Sequence, residues 1–259
     1  MSAHHSATQT DYFSRYANLA MSRDANGVLL LRMHSNEGPI VWNAVAHREF
    51  VDAFHDISRD RRNRAVVLTG TADEWMVRID REGMSTLGLP WVWNRVNLDG
   101  RKILSNLLDI EVPMVCAVNG PARVHSELAL LCDIVLCTPD TVFQDRHLEW
   151  GIVPGDGVHI VWPAVLGPSR GRHFLFTSHK LVAEEALRLG VVSEIHEREA
   201  LQVRALEIAT QLAQLPALAA RYSRVLFTQP YRKLLADDAG YGLALEGLSA
   251  AALTQGGVP

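Results

Sequence analysis

Val142–Pro163 reads VFQDRHLEWGIVPGDGVHIVWP. It starts as a short strand-like run and turns through a polar loop holding His147. A Pro-Gly-Asp-Gly corner follows, then the apolar run His159–Leu166, closed by Gly167-Pro168. Glycine and proline let the chain reverse there, so His147 and Asp156, on either side of the bend, can be folded back towards each other. An imidazole held in one tautomer by a carboxylate is a general base, because the carboxylate also stabilises the imidazolium that forms. Taken alone the pair has plainer readings: a solvated loop histidine, and an aspartate capping the helix that follows.

Working outward, Ala17–Ser22 and Gly27–His34 read as strands paired around the turn Asp24–Gly27. Ala44–Ser58 places Val45, Phe50, Val51, Phe54 and Ile57 on one helical face. Arg64–Thr69 is a buried strand, Trp75–Gly83 and Leu87–Pro90 a long loop, and Trp93–Leu108 a second amphipathic helix. Pro113–Asn119 is another buried strand, stopped by Gly120-Pro121; Glu127–Cys132 is a short helix and Ile134–Cys137 a strand. Strand, loop, helix and strand recur, which implies parallel strands joined by crossovers in an α/β fold. Beyond Gly167 the pattern turns helical over Arg170–Thr177, Val182–Leu189, Glu199–Gln214, Pro216–Thr228 and Lys233–Leu253, broken by strand-like Val191–Ile195. The expected organisation is a disordered arm over 1–14, an α/β core over 15–196 and a helical C-terminal region over 197–259.

Hydrophobic residues make up 48% of the 259 and charged residues 21%, enough for a substantial core. The formal charge of −4, with no basic cluster, argues against a nucleic-acid partner. No apolar run approaches the roughly 20 residues of a membrane helix, and the polar N-terminus lacks a signal-peptide layout. Cys116, Cys132 and Cys137 lie in apolar runs without Cys-x-x-Cys spacing, which points to a reducing compartment, the cytoplasm. Eleven histidines include no His-x-x-x-His pair on a helical stretch, so no metal motif is read.

Several phrases together resemble the crotonase (enoyl-CoA hydratase/isomerase) superfamily. Ile110–Pro113 leading to Ala117–Ala122 is similar to its strand and turn, and Glu127–Val135 to the helix and strand that follow. Gly151–Gly155 is similar to its Gly-x-x-Pro-Gly loop, and Ala183–Val192 to its helix-to-strand junction. The resemblance implies a spiral of repeated ββα units with a helical C-terminal trimerisation region, assembling as a homotrimer or as a hexamer made of two trimers.

The chain also departs from the acyl-CoA members, which hold a thioester oxygen between two backbone N–H groups in glycine-rich phrases. Here the first phrase is Trp75–Asp80, with Arg78 where glycine is expected; the second is Ala122–Ser126, with no glycine. Glu127 matches one of the two hydratase glutamates, but the second position is His147. These departures resemble the β-diketone hydrolase branch typified by 6-oxocamphor hydrolase, which breaks a carbon–carbon bond without coenzyme A. Its His/Asp pair matches His147 and Asp156 within Gly-Ile-Val-Pro-Gly-Asp-Gly; Trp42, His47, His125 and Glu246 match further positions.

The resemblance implies a cofactor-independent retro-Claisen cleavage of a small 1,3-diketone, cyclic or bicyclic, to a keto acid. His147 would activate water with Asp156 orienting it, a base being worth about 10²–10⁴ in rate. Trp42, His47 and His125 would hold the diketone oxygens, and Glu246 would position a histidine or close the pocket. The plainer readings are a pocket-wall Trp42, an exposed His47, a loop His125 and a solvated or subunit-contact Glu246. Glu127 would cap or form a salt bridge, while Trp91, Trp93, Trp150 and Trp162 suggest a bulky apolar pocket. Two rival readings stand beside this one: an acyl-CoA hydratase, isomerase or hydrolase with a reworked site, and a non-catalytic scaffold.

Overall fold

The computed structural model describes residues 11–254. Its main sheet has six strands in the order β1-β2-β4-β6-β7-β10: β1 (Leu19–Arg23), β2 (Val28–Met33), β4 (Ala65–Thr69), β6 (Met114–Val118), β7 (Ile134–Cys137) and β10 (Glu194–Ile195). β1 and β2 form an antiparallel hairpin, and every later neighbour is parallel. Gly27, at φ 82, closes the hairpin turn, since a side chain there would be strained and would collide with Arg62 and Arg64.

β4 and β6 are buried at every residue because both faces of the sheet are covered. Side chains alternate across a strand, so Leu29, Leu31, Val66, Leu68, Met114 and Cys116 enter the larger core cluster. Val28, Ala65, Val67, Val115, Ala117 and Leu136 face the other way, onto Leu201, Ala205, Ile208 and Ala209 of α8 (Arg198–Ala213). α8 is therefore part of the core, and the expected boundary at 197 cuts through packed structure.

A second series of pairings runs beside the main sheet. β3 (Val41–Trp42) pairs with β5 (Arg78–Ile79), bridges link Met76 to Ala122 and Ala122 to Phe143, and β8 (Val142–Phe143) pairs with β9 (Leu181–Val182). The chain thus winds as the expected spiral, with α1 (Ala44–Arg59) and α3 (Pro90–Leu108) packed together outside it. The stretch expected to be one long loop, Trp75–Gly83, contains β5 and the start of the short helix α2 (Arg81–Met84). α4 (Glu127–Leu130), α5 (Val158–Leu166), α6 (Pro168–Phe176) and α7 (Ala183–Arg188) follow in order.

Two further expectations change. Residues 1–10 of the N-terminal arm lie outside the described residues, but Asp11–Ser14 forms a 3₁₀ turn. It is held because the Tyr12 ring is buried and its hydroxyl donates to Asp60. The two helices expected after Pro216 are one, α9 (Ala217–Thr254), running through Pro230. A mid-helix proline costs about 3 kcal/mol, and anchors on both sides outweigh it. Arg224 is buried, donating from Nε to the Ile110 carbonyl (2.6 Å) and pairing with Asp133 (2.6 Å), while Leu235, Ala239 and Leu243 are buried further along. Among the described residues no helix is long and apolar enough to cross a membrane.

Candidate active site

Trp42, His47, His125, His147, Asp156 and Glu246 all line one cavity of about 200 Å³ between the spiral, α3 and α9. Each arrives by a local device. Asn43 caps α1, accepting from the N–H groups of Val45 and Ala46 (2.9 Å each), and this fixes His47 in the first turn, facing inward. His125 sits in the turn before α4 at φ 46, a left-handed conformation that a non-glycine residue holds only where its surroundings impose it. Gly157, at φ 116, turns the chain into α5 and sets Asp156 at the cavity wall. Gly155 and Gly242 lie face to face, so that a Cβ on either would strike the backbone of the other. That close approach brings α9 in and delivers Glu246.

Asp156 stands between two imidazoles. Its Oδ2 is 3.4 Å from His147 Nε2 and 3.3 Å from His125 Nδ1. The tighter partner of each histidine is another carboxylate: His147 Nδ1 is 2.8 Å from Asp145 Oδ2, and His125 Nδ1 is 2.8 Å from Glu127 Oε1. Glu246 Oε1 lies 3.7 Å from His147 Nε2. The His125 ring lies 4.3 Å from the Trp42 ring, and the His47 ring lies 5.4 Å from it on another side. The sequence reading gives Asp156 the task of orienting His147; the structure puts Asp145 on Nδ1 and Asp156 on the opposite nitrogen. His47 is 9% exposed, not the exposed helix residue of its plainer reading, and its Nδ1 is 3.9 Å from Asp99. Trp93 and Trp150 line the cavity, Trp162 is core, and Trp91 is exposed.

Burial opposes the charge on His147, yet Asp156 and Asp145 overcome it and hold its pKa well above the ordinary imidazole value. His125 is raised in the same way, against burial, by Glu127 and Asp156. Asp156 is held below the usual carboxylate range, because the two imidazoles outweigh the cost of burying it. Burial, reinforced by the charge of Asp156, pushes Glu246 up to about 8. Burial lowers His47, more than Asp99 raises it. The site therefore favours charge on two imidazoles, His147 and His125, and disfavours it on His47 and on the Glu246 carboxyl. Two triplets, His125–Glu127–Asp156 and His147–Asp156–Glu246, have ligand atoms within 4.8 Å of one another and are close enough to share a divalent cation.

Sequence reasoning missed Asp145 and Asp99. The signal for Asp145 is its spacing: two residues before His147, a carboxylate can reach back to Nδ1 across a tight turn. Asp99 lies on the α3 face towards α1 and gives no local sign of its partners, His47 and Arg48. The glycine-poor phrases have a structural counterpart. The N–H groups of Arg123 and Val124 both donate to the Met76 carbonyl, at 2.8 and 3.1 Å, and Arg78 pairs with Glu74.

The chain matches the enoyl-CoA hydratase/isomerase family over residues 23–239. It is 36% identical over 117 residues to carnitinyl-CoA dehydratase of Citrobacter koseri, a match spanning 45% of each protein. To the human mitochondrial Δ(3,5)-Δ(2,4)-dienoyl-CoA isomerase it is 26% identical, over 81% of this chain and 68% of that one. A solved enoyl-CoA hydratase/isomerase of Mycobacterium paratuberculosis, at 21% identity and a TM-score of 0.86 over 92% of this chain and 95% of the other, shares the fold. The structure of a β-diketone hydrolase from the cyanobacterium Anabaena sp. PCC 7120, bound to (S)-3-oxocyclohexyl acetic acid, is 52% identical. It superposes with a TM-score of 0.93 over 95% of this chain and 99% of that one. With the family pattern covering most of its length, the chain belongs to the crotonase, or enoyl-CoA hydratase/isomerase, superfamily.

Proposed function

We propose that the protein hydrolyses a carbon–carbon bond of a small 1,3-diketone, cyclic or bicyclic, by a retro-Claisen reaction without coenzyme A. The observation that carries this is Asp156 held between the imidazoles of His147 and His125 at the wall of a cavity with tryptophan and aliphatic sides. Such a site can move protons and stabilise oxyanions with side chains alone. The likeness to the Anabaena hydrolase supports the same reading. Rejoining the carboxyl carbon of its bound keto acid to a ketone α-carbon gives a bicyclic 1,3-diketone, and that is the substrate class expected here.

In this reading neutral His147 takes a proton from water through Nε2, while Asp145 holds its Nδ1–H and Asp156 stabilises the imidazolium. Hydroxide adds to one carbonyl carbon. The tetrahedral alkoxide collapses, and the bond to the central carbon breaks with its electron pair passing into the second carbonyl as an enolate. His125, whose Nδ1 faces Glu127, offers Nε2–H to a carbonyl oxygen, and the Trp42 indole offers another donor. His47, kept neutral by burial, donates in one tautomer only. Glu246, protonated below about pH 8, gives its proton to the enolate carbon and takes back the one held on His147, whose Nε2 is 3.7 Å away. Atoms balance as diketone plus water giving keto acid. Exposed Leu226, Phe227, Tyr241 and Leu248 on α9 support assembly as a trimer or hexamer.

The test is a pH-stat assay of bicyclic and monocyclic 1,3-diketones without coenzyme A, since each turnover at neutral pH releases one proton. Acid release by the wild type that vanishes in His147→Ala and falls sharply in Asp156→Asn supports the reading. Turnover of an acyl-CoA alongside inertness to every diketone would sink it.

A further inference from the structure

Charge around the cavity does not balance locally. Three arginines line it: Arg95, Arg123 and Arg146. Arg146 is committed, pairing with Glu149 at 2.8 Å and lying over the Trp150 ring. Arg123 is half-buried, and its Nε is sealed from solvent with no hydrogen-bond partner among the described residues. Neither Arg123 nor Arg95 has a carboxylate within ion-pair distance among those residues, in a protein where acidic side chains outnumber basic ones, 29 to 25.

The acidic groups lining the same cavity are otherwise engaged. Asp99 pairs with Arg48, Asp145 with His147, and Asp156 with two imidazoles. Asp80 accepts from the Glu82 N–H at the start of α2, and Glu246 keeps its proton to about pH 8. The uncommitted charge in this cavity is cationic. With Arg123 Nε closed off, the two terminal nitrogens, which make no hydrogen bond or ion pair among the described residues, are the end that can meet a ligand, and their fork matches a carboxylate. The main chain under Arg123 is fixed, because its N–H donates to the Met76 carbonyl at 2.8 Å and Ala122 bridges Met76 and Phe143. The side chain is therefore presented from a rigid strand segment that also leads to His125.

We propose that Arg123 forms a carboxylate-binding subsite in this cavity, so that its ligand carries an anionic carboxylate beside the apolar ring that the tryptophans accommodate. This deepens the hydrolase reading and rests on it only for the source of the carboxylate. The source is either the acid group the cleavage creates or a carboxylate already present on the diketone.

The first experiment needs no turnover. Calorimetric titration compares cyclohexylacetate with its neutral methyl ester, for the wild type, Arg123→Gln, Arg123→Lys and Arg95→Gln. A charged, forked hydrogen bond predicts that the wild type prefers the acid by about tenfold or more. Arg123→Gln should abolish that preference, Arg123→Lys should keep part of it, and Arg95→Gln should leave it unchanged. Equal binding of acid and ester by the wild type overturns the proposal, as does a preference that survives Arg123→Gln. The partial recovery in Arg123→Lys separates lost charge from lost folding.

Kinetics then assign the source. Weakened product inhibition in Arg123→Gln, with no greater loss of kcat/KM on a carboxymethyl-substituted diketone than on a neutral one, assigns the subsite to the new acid group. A drop in kcat/KM confined to a carboxymethyl-substituted diketone assigns it to the substrate. If no diketone is cleaved, the hydrolase reading fails while the titration still decides the subsite.

Discussion

Asp145 offers a sharp probe of how His147 works. Its carboxylate is 2.8 Å from Nδ1, while Asp156 faces the opposite nitrogen at 3.4 Å, and together they raise the imidazole pKa. Asp145→Asn keeps an acceptor for the Nδ1–H, and so the tautomer, but removes the negative charge. A hydrogen bond to a charged group is worth about 1.5–3 kcal/mol, and one pKa unit corresponds to about 1.4 kcal/mol. The imidazolium should therefore lose its proton about one to two pH units lower in the variant. His147 acts as a base only when neutral, so in the wild type kcat/KM rises as pH passes through a value above the ordinary imidazole range. The assay is kcat/KM for a cleaved diketone from pH 5 to 10. In Asp145→Asn the acid limb should shift downward, while the plateau falls by less than the about 10²–10⁴ that losing a base costs. An acid limb that stays where it was would refute this role for His147, because the titrating group would then be indifferent to the carboxylate nearest it.

Two other perturbations follow from the same geometry. Glu246 holds its proton to about pH 8 in the folded chain and to its ordinary value near 4.5 when unfolded. The folded state therefore binds more protons across that window, and stability falls as pH rises through it. Glu246→Gln removes this slope, so its melting temperature relative to wild type should be higher at pH 8.5 than at pH 5; a constant difference would contradict the buried acid. Gly155→Ala would force its Cβ against the Gly242 backbone and Glu246. Denaturant unfolding should show a loss of about 1–3 kcal/mol, and activity should drop as Glu246 is displaced; a variant neutral in both would show that α9 is free to move.

Much of the fold could be read from the chain because its strands are unusual in a readable way. Ala65–Thr69 and Met114–Val118 are apolar at almost every position, which a strand affords only when both faces are covered, and here α8 and the larger core cluster cover them. The juxtaposition of His147 and Asp156 was legible for a simpler reason: the glycines and proline between them let the chain reverse. Their partners were not. A carboxylate two residues before a histidine is usually solvated; here Asp145 also accepts from the His147 N–H at 3.3 Å, which holds it beside Nδ1. The unbroken α9 was hidden behind Pro230, since the anchors that carry the helix past it, Arg224 to Ile110 and Asp133, are set by tertiary contacts far away in sequence.

The carbonyl of Met76 shows how one spiral can accommodate different chemistry. In thioester-binding relatives the fold is expected to aim two backbone N–H groups at a substrate oxygen. Here Arg123 and Val124 both donate instead to Met76, inside the protein. Under the proposed reaction, oxygen stabilisation falls to side chains, and His125, held by Glu127 at 2.8 Å with its ring tilted against that of Trp42, is the candidate for it. The exchange has a chemical consequence. A backbone N–H donates at every pH, whereas His125 offers a charged donor only while its raised pKa keeps the proton on. The same acidic surroundings that favour that charge also keep His147 protonated until higher pH. The proposed reaction therefore makes two protonation demands, a neutral His147 and a protonated His125, on rings that share one acidic neighbour. Asp156 faces both rings, at 3.3 and 3.4 Å, so Asp156→Asn should lower both protonation steps, while Glu127 and Asp145 still support one each.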